Sequence, residues 1–305
     1  MKAIVVHNYG GPGELKWEEY RDPVPEPGEV LLRTAATSVN PIDFKRRSGA
    51  VKDFAPIKFP GVLGVDISGT VIKTGDGVHR FSVGDRVFGM ADETYAELCV
   101  VKADNIAKIP EGIDVEEAAA LPLVTTTGSQ LISEGTEIRA GQTVLIAGAA
   151  GMVGRSAVFV AKERGAKVIA GVLKKQLQEA VSLHADQVIA TDDDQAIGSL
   201  PQLDAVADTV GGKTAESLIS KIKKGGTFGT VLGPPANAKE FPTVKVVSVR
   251  AKADANTLLH MAQAVKAGKL EIPVSEKLPL RDAAKGQAAA EKGGIGKLLL
   301  VVGER

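Results

Sequence analysis

The chain has 305 residues, 44% of them hydrophobic, which is enough for two ordinary domains and a sizeable core. Lysine plus arginine equals aspartate plus glutamate, 37 against 37, so no global field favours nucleic acid or an anionic membrane surface. Cys99 is the one cysteine, which excludes an internal disulfide and a multi-cysteine zinc lobe and suits a reducing compartment. The opening Met1-Lys-Ala-Ile-Val-Val reaches polar His7 and Asn8 too early for a signal-peptide core, and no apolar run of about 18 residues follows. A soluble, cytoplasmic protein is expected.

Residues 1 to about 110 carry short β-branched runs between Pro- and Gly-rich turns: Ala3–Val6, Glu29–Thr34, Gly69–Thr74, Arg86–Met90 and Tyr95–Val101. That pattern predicts a β-domain. Helical spacing begins at Val115–Ala120 and Thr125–Glu134, after which apolar runs at 142–147, 167–171, 187–191, 204–208, 226–232 and 243–249 alternate with helical segments such as Met152–Arg164 and Lys213–Lys223. Six strands joined by helical crossovers predict a doubly wound parallel sheet, and so an α/β fold with an added β-domain. A helix at Ala255–Ala267 follows, and Lys297–Val302 reads as a last strand that joins the β-domain.

The most specific local signal is Gln142 to Gly154, QTVLIAGAAGMVG, in which an apolar strand runs into Gly148, Gly151 and Gly154. A strand buried in a parallel sheet must end in a tight turn, and glycine allows both that turn and a close approach of backbone to a pyrophosphate. The amides of Ala149, Ala150, Met152 and Val153 then lie in the turn or at the start of a helix, where they would face an anion. The bland alternative is a glycine-rich turn that binds nothing. In NAD-binding folds an acid near the end of the second strand accepts a hydrogen bond from the ribose 2′-hydroxyl. Here that strand runs through Gly171 into Val172-Leu173-Lys174-Lys175, without an acid. Lys174 or Lys175 would pair with a 2′-phosphate, which favours NADPH; the alternative is two solvated charges.

Several segments together resemble the medium-chain dehydrogenase/reductase superfamily, in its zinc-free quinone oxidoreductase and alkenal reductase branch. They are Asn40-Pro-Ile-Asp43 with Lys45-Arg-Arg-Ser-Gly49, Pro60-Gly-Val-Leu-Gly-Val-Asp66 with Gly69, Gly84-Asp-Arg-Val87, Thr94-Tyr-Ala-Glu97, Leu121-Pro-Leu with Thr127, the 147–154 turn, Asp208-Thr-Val-Gly211, and Gly296-Lys297. The resemblance covers the whole chain. It implies a GroES-like domain from residues 1-118 and 250-305, a Rossmann dinucleotide-binding domain from 119-249 with a six-stranded sheet, and an active-site cleft between them. It also implies a homodimer, a small quinone or enone substrate, and nicotinamide contacts from Val231, Leu232, Gly233 and Ser248; Thr127 meets the nicotinamide ribose or caps its helix, and Gly211 ends the fourth strand, where such sheets bind ligands. Relatives often carry a tyrosine near Thr191 to help seat the 2′-phosphate, whereas this chain continues Asp192-Asp-Asp194.

Zinc-dependent relatives place a cysteine at or beside Asn40 and a His-Glu pair at Val65-Asp66. This chain has neither, and His7, His79, His184 and His260 are scattered without ligand spacing. Hydride transfer to a conjugated acceptor or quinone, without a metal, is the activity this pattern implies. Three residues are candidates for the charge that develops on the acceptor oxygen. Asn40 is a non-titrating donor or a turn-former before Pro41; Asp43 is an acid or a helix cap; Lys45 is a donor or, with Arg46 and Arg47, part of a solvated face. A rival reading from another class is a nucleotide-binding protein with little turnover and a structural or sensing role.

Overall fold

In the computed structural model, which describes residues 1–294 and 296–303, the chain forms two compact units. One comprises Val124–Lys252 with Lys269–Glu271, and the other Met1–Leu123, Ala253–Gly268 and the residues from Ile272 on.

The terminal unit begins with strands β1 (Lys2–Val6), β2 (Lys16–Glu19), β3 (Glu29–Ser38), β4 (Gly61–Val62), β5 (Asp66–Thr74), β6 (Arg86–Met90), β7 (Leu98–Lys102) and β8 (Ile106–Lys108), with helix α1 (Pro41–Ser48) after β3. The ten residues of β3 anchor a mixed sheet: they pair antiparallel with β5 on one side and with β7 on the other. Alternation along these strands sends Val30, Leu32, Ile67, Val71, Val87, Cys99 and Val101 into one core, while Ile4, Val6, Leu63 and Tyr95 join a second. Each such large apolar group contributes about 1.5–3 kcal/mol relative to exposure.

Helix α2 (Pro122–Gln130) leads into the central unit, where β9 (Thr143–Ala147), β10 (Lys167–Val172), β11 (Gln187–Ala190), β12 (Leu203–Asp208), β13 (Ile222–Thr230) and β14 (Lys245–Ser248) alternate with α3 (Met152–Glu163), α4 (Asp194–Gly198) and α5 (Gly212–Ile219). All six strands are parallel, in the order β11-β10-β9-β12-β13-β14. The order reverses direction beside β9, which is the switch point where open α/β sheets bind ligands. The expected six-stranded Rossmann sheet is therefore present, and its central strand is the one that ends in the glycine turn.

The chain then returns to the terminal unit through α6 (Ala255–Lys266), β15 (Val274–Pro279), α7 (Ala283–Glu291) and β16 (Lys297–Val301). Asp254 caps α6 by accepting from the Asn256 and Thr257 amides. The last strand pairs antiparallel with residues 36–38 of β3, as its assignment to the β-domain requires. Three expectations shift. Helix α5 ends at Ile219 and β13 starts at Ile222, so Val231 and Leu232 lie beyond the strand rather than inside it. The helix expected at 125–134 begins at Pro122 and widens into a π-turn over Leu131–Thr136. The run Lys45-Arg46-Arg47 is not a uniformly solvated face. Arg47 is buried and its guanidinium holds α1 to α7 through Gln287 (2.6 Å) and Glu291 (2.6 Å).

Candidate functional site

In the central unit the turn after β9 is shaped by glycine at three positions for three different reasons. Gly148 has φ +76°, and a Cβ there would lie 2.4 Å from the Thr209 hydroxyl oxygen. A Cβ on Gly154 would lie 2.1 Å from the Gly148 carbonyl oxygen, so only glycine lets α3 start this close to the turn. At Gly151 the nearest atom to such a Cβ is the Gly148 carbonyl oxygen at 3.3 Å, a tight contact but a milder one than at the other two positions. The first bond of the helical ladder runs from the Arg155 amide to the Gly151 carbonyl, which leaves the Met152, Val153 and Gly154 amides outside that ladder at the positive end of α3.

The Gly148 and Ala149 amides both donate to the Gly171 carbonyl, at 2.9 and 3.0 Å. These two residues thus build the turn from β10 instead of presenting their N–H groups to an anion. The cradle is made by the three helical amides and by Ala150. Such a cradle of backbone amides at a helix N-terminus fits a pyrophosphate.

The carboxyl ends of the neighbouring strands are fixed by one buried acid. Asp208, at the end of β12, accepts from the Val210 (3.0 Å) and Gly211 (2.9 Å) amides and from the Thr230 hydroxyl (2.9 Å). The same Thr230 oxygen accepts from the Leu232 amide at 3.1 Å. Val210 and Leu232, with Leu173 after β10, are large apolar side chains left exposed along this edge. Val231 and Gly233 flank Leu232, and Ser248 is exposed at the end of β14. On α2, Thr125, Thr126 and Thr127 are all buried, and the Thr126 hydroxyl has no hydrogen-bond partner among the described residues. Gly128 brings α2 against α3, since a Cβ there would sit 2.6 Å from the Val153 carbonyl oxygen.

Lys174 and Lys175 open a short 3-10 turn at the end of β10, exposed and without an ion pair among the described residues. Thr191, after β11, is buried with its hydroxyl on the Val172 carbonyl.

The terminal unit holds a different kind of assembly. Lys297, the first residue of β16, is 4% exposed, and its ammonium donates to Asn40 Oδ1 (2.6 Å) and Asp66 Oδ2 (3.1 Å). Asn40 Nδ2 donates to the same Asp66 oxygen at 2.8 Å, and the Ser38 hydroxyl also donates to it. The other Asp66 oxygen accepts from the Leu123 amide at 2.7 Å. Asp43, fully buried on α1, reaches back to the Asn40 amide (2.8 Å) and accepts from the Tyr95 hydroxyl (3.1 Å), while its Oδ1 has no partner among the described residues. Burial, reinforced by the nearby Asp66 charge, pushes the Asp43 carboxyl up to about 7, although the Asn40 amide, Lys297 and Tyr95 pull it down. Burial beside Asp43 likewise raises the Tyr95 hydroxyl well above its ordinary range.

The three candidates for oxyanion stabilisation therefore divide. Asn40 and Asp43 are brought together, but the amide donors of Asn40 point inward to Asp66 and Ser38. Lys45 is half-buried on α1 and joins none of this network among the described residues. Lys297 and Tyr95 are its unanticipated members. The signs available were a lysine opening an apolar strand, Lys297-Leu-Leu-Leu-Val301, and the presence of Thr94-Tyr-Ala-Glu97 and Gly296-Lys297 among the segments that carry the resemblance.

The region 26–111 matches the family model for an alcohol dehydrogenase GroES-like domain, and 183–300 matches that for a zinc-binding dehydrogenase. A chloroplast envelope quinone oxidoreductase homolog of Arabidopsis thaliana is 30% identical across 98% of both chains. The chain belongs to the medium-chain dehydrogenase/reductases, with the quinone oxidoreductases. Within this family, an NADPH-dependent alkenal/one oxidoreductase of Arabidopsis thaliana is 34% identical over 76% of this chain and 63% of its own length. The quinone oxidoreductase of Escherichia coli, solved with NADPH, superposes with a TM-score of 0.85 at 27% identity, covering 99% of this chain and all of that one.

Zinc, which the second family model names, does not fit the residues present. Among the described residues no group of three or more His, Cys, Asp or Glu side chains could hold a metal ion. Lys297 stands between Asn40 and Asp66, and Cys99 lies in an apolar core where burial pushes its thiol well up. No step is assigned to a metal.

Proposed function

We propose that this family member is an NADPH-dependent reductase of small quinones or α,β-unsaturated carbonyls. The glycine turn carries the reading: its three unladdered amides at the start of α3, and a backbone packed so closely that Gly148 and Gly154 admit no Cβ, suit the diphosphate of a dinucleotide. Gly148, Ala149, Gly154 and Gly171 build this turn, and Ala150, Gly151, Met152 and Val153 line it. Exposed Leu173, Val210 and Leu232 offer apolar support for the two ring systems, and Lys174 and Lys175 offer charge to a 2′-phosphate. Thr127, Gly211, Val231, Gly233 and Ser248 complete the proposed cofactor contacts, with Thr191 supporting the ribose end from beneath.

A bound reduced nicotinamide would supply a hydride to an electron-poor carbon of the acceptor, and the acceptor oxygen would then gain negative charge and a proton. Lys45 is the proposed donor to that oxygen, since it is the one of the three candidates that is not fully buried. Asn40 and Asp43 act from within as a fixed polar support. A homodimeric, cytoplasmic enzyme without nucleic-acid partners is part of the same proposal.

One observation favours a second reading, a nucleotide-binding protein with little turnover: the amide donors of Asn40 are both engaged inside the unit. Loss of NADPH absorbance with a short alkenal and with a small quinone decides between them. Turnover with either acceptor supports the reductase. Tight NADPH binding without turnover would transfer the assignment to the binding protein.

A further inference from the structure

The acidic run after β11 lies at the end of the sheet where the second strand of the fold lacks its acid. Strands β10 and β11 pair in parallel, with Val172 opposite Ala190, so the residues just beyond each strand emerge side by side. Two of the three acids have definable work. Asp193 caps α4 by accepting from the Gln195 (2.9 Å) and Ala196 (3.1 Å) amides. Asp192 turns the other way, and its Oδ1 accepts from the Lys174 amide at 2.8 Å. A carboxylate carried by β11 is thus held against the backbone of the first lysine after β10.

We propose that Asp192 is a specificity-determining residue that reads the 2′ position of a bound dinucleotide's ribose and offsets Lys174 and Lys175. The inference rests on the dinucleotide reading above. A ribose 2′-hydroxyl finds an acceptor in Asp192, as it does in folds whose second strand supplies its own acid. A 2′-phosphate finds two ammonium groups but also a like charge pinned beside them. The Lys174 amide bond holds that carboxylate beside the two lysines. The consequence is a preference for NADPH about tenfold smaller than the two lysines alone would give.

Asp192→Asn tests this directly, because asparagine keeps an oxygen for the Lys174 amide and removes only the charge. The residue is exposed, so the variant should fold as the parent does. Dissociation constants for NADH and NADPH would be measured by the fluorescence of the reduced nicotinamide, at low and at high salt. The expected result is an approximately tenfold shift in the affinity ratio towards NADPH, shrinking at high salt as screening removes a charge effect at an exposed site. An unchanged ratio with both nucleotides still bound would overturn the role of Asp192 alone. Failure of the parent protein to bind either nucleotide would overturn the dinucleotide reading together with it.

Discussion

The two units hold their candidate chemistry by contrasting means. In the central unit the turn after β9 is almost entirely backbone: Gly148, Gly151 and Gly154 create the space, and the Gly171 carbonyl and α3 amides fill the hydrogen-bonding roles. In the terminal unit the polar cluster is built of side chains, Asn40, Asp43, Asp66, Tyr95 and Lys297, removed from water and hydrogen-bonded largely to one another. A backbone site tolerates most side-chain changes near it and fails only where a Cβ enters. A buried side-chain cluster fails when any one charge loses its partner.

The largest test of that contrast is Lys297→Met. It leaves the Asp66 carboxylate buried without its cation, and a loss of about 3–5 kcal/mol in unfolding free energy is expected from urea denaturation. Adding Asp66→Asn to the same chain removes the second charge and should restore part of that loss. Equal stability of the single variant and the parent would mean that the cluster is not held by this pair.

The next effect is a pH dependence. The folded-state value of Asp43 lies above that of an unfolded carboxylate, so the native chain binds this proton more tightly than the unfolded chain. Its contribution is fully present below about pH 4 and is lost as pH rises to about 7, by about 3–4 kcal/mol in total. Comparing urea midpoints of the parent and Asp43→Asn from pH 5 to pH 8 isolates it. The parent should fall relative to the variant across that range, and parallel curves would count against the protonated carboxyl.

The smallest of the three is Gly154→Ala, whose methyl meets the Gly148 carbonyl oxygen and must push α3 away. A cost of about 1–3 kcal/mol is expected in stability, with weaker dinucleotide binding. Gly151→Ala, where a methyl has more room, should cost less stability. A reversed order would show that the turn relaxes easily and that the contrast between the units is false.

Much of the central unit was legible because its signals are local. The apolar run 142–147, the glycines after it and the helical spacing of 152–164 lie within one stretch of chain, and the parallel strand order follows from the crossovers. The absence of an acid after Gly171 was equally readable. What Asp192 does was not, since its contact with Lys174 depends on two strands lying side by side. In the terminal unit, the candidates Asn40 and Asp43 were visible through the Asn-Pro-Ile-Asp segment, but the direction of their hydrogen bonds was not. Arg47 illustrates the same limit: three basic residues in a row suggest solvent, and only packing against α7 buries the third.

The sequence by itself determined the strand-turn-helix of the nucleotide unit, because hydrophobic period and glycine freedom act over a few residues. It also determined that the last strand returns to the β-domain. Only the tertiary structure decided the Lys297 cluster. Its ammonium and the amide of Asn40 are 257 positions apart, and nothing in either local segment encodes the meeting. Their partnership follows from the antiparallel pairing of β16 with β3, which buries both ends and obliges each charge to find its counterpart.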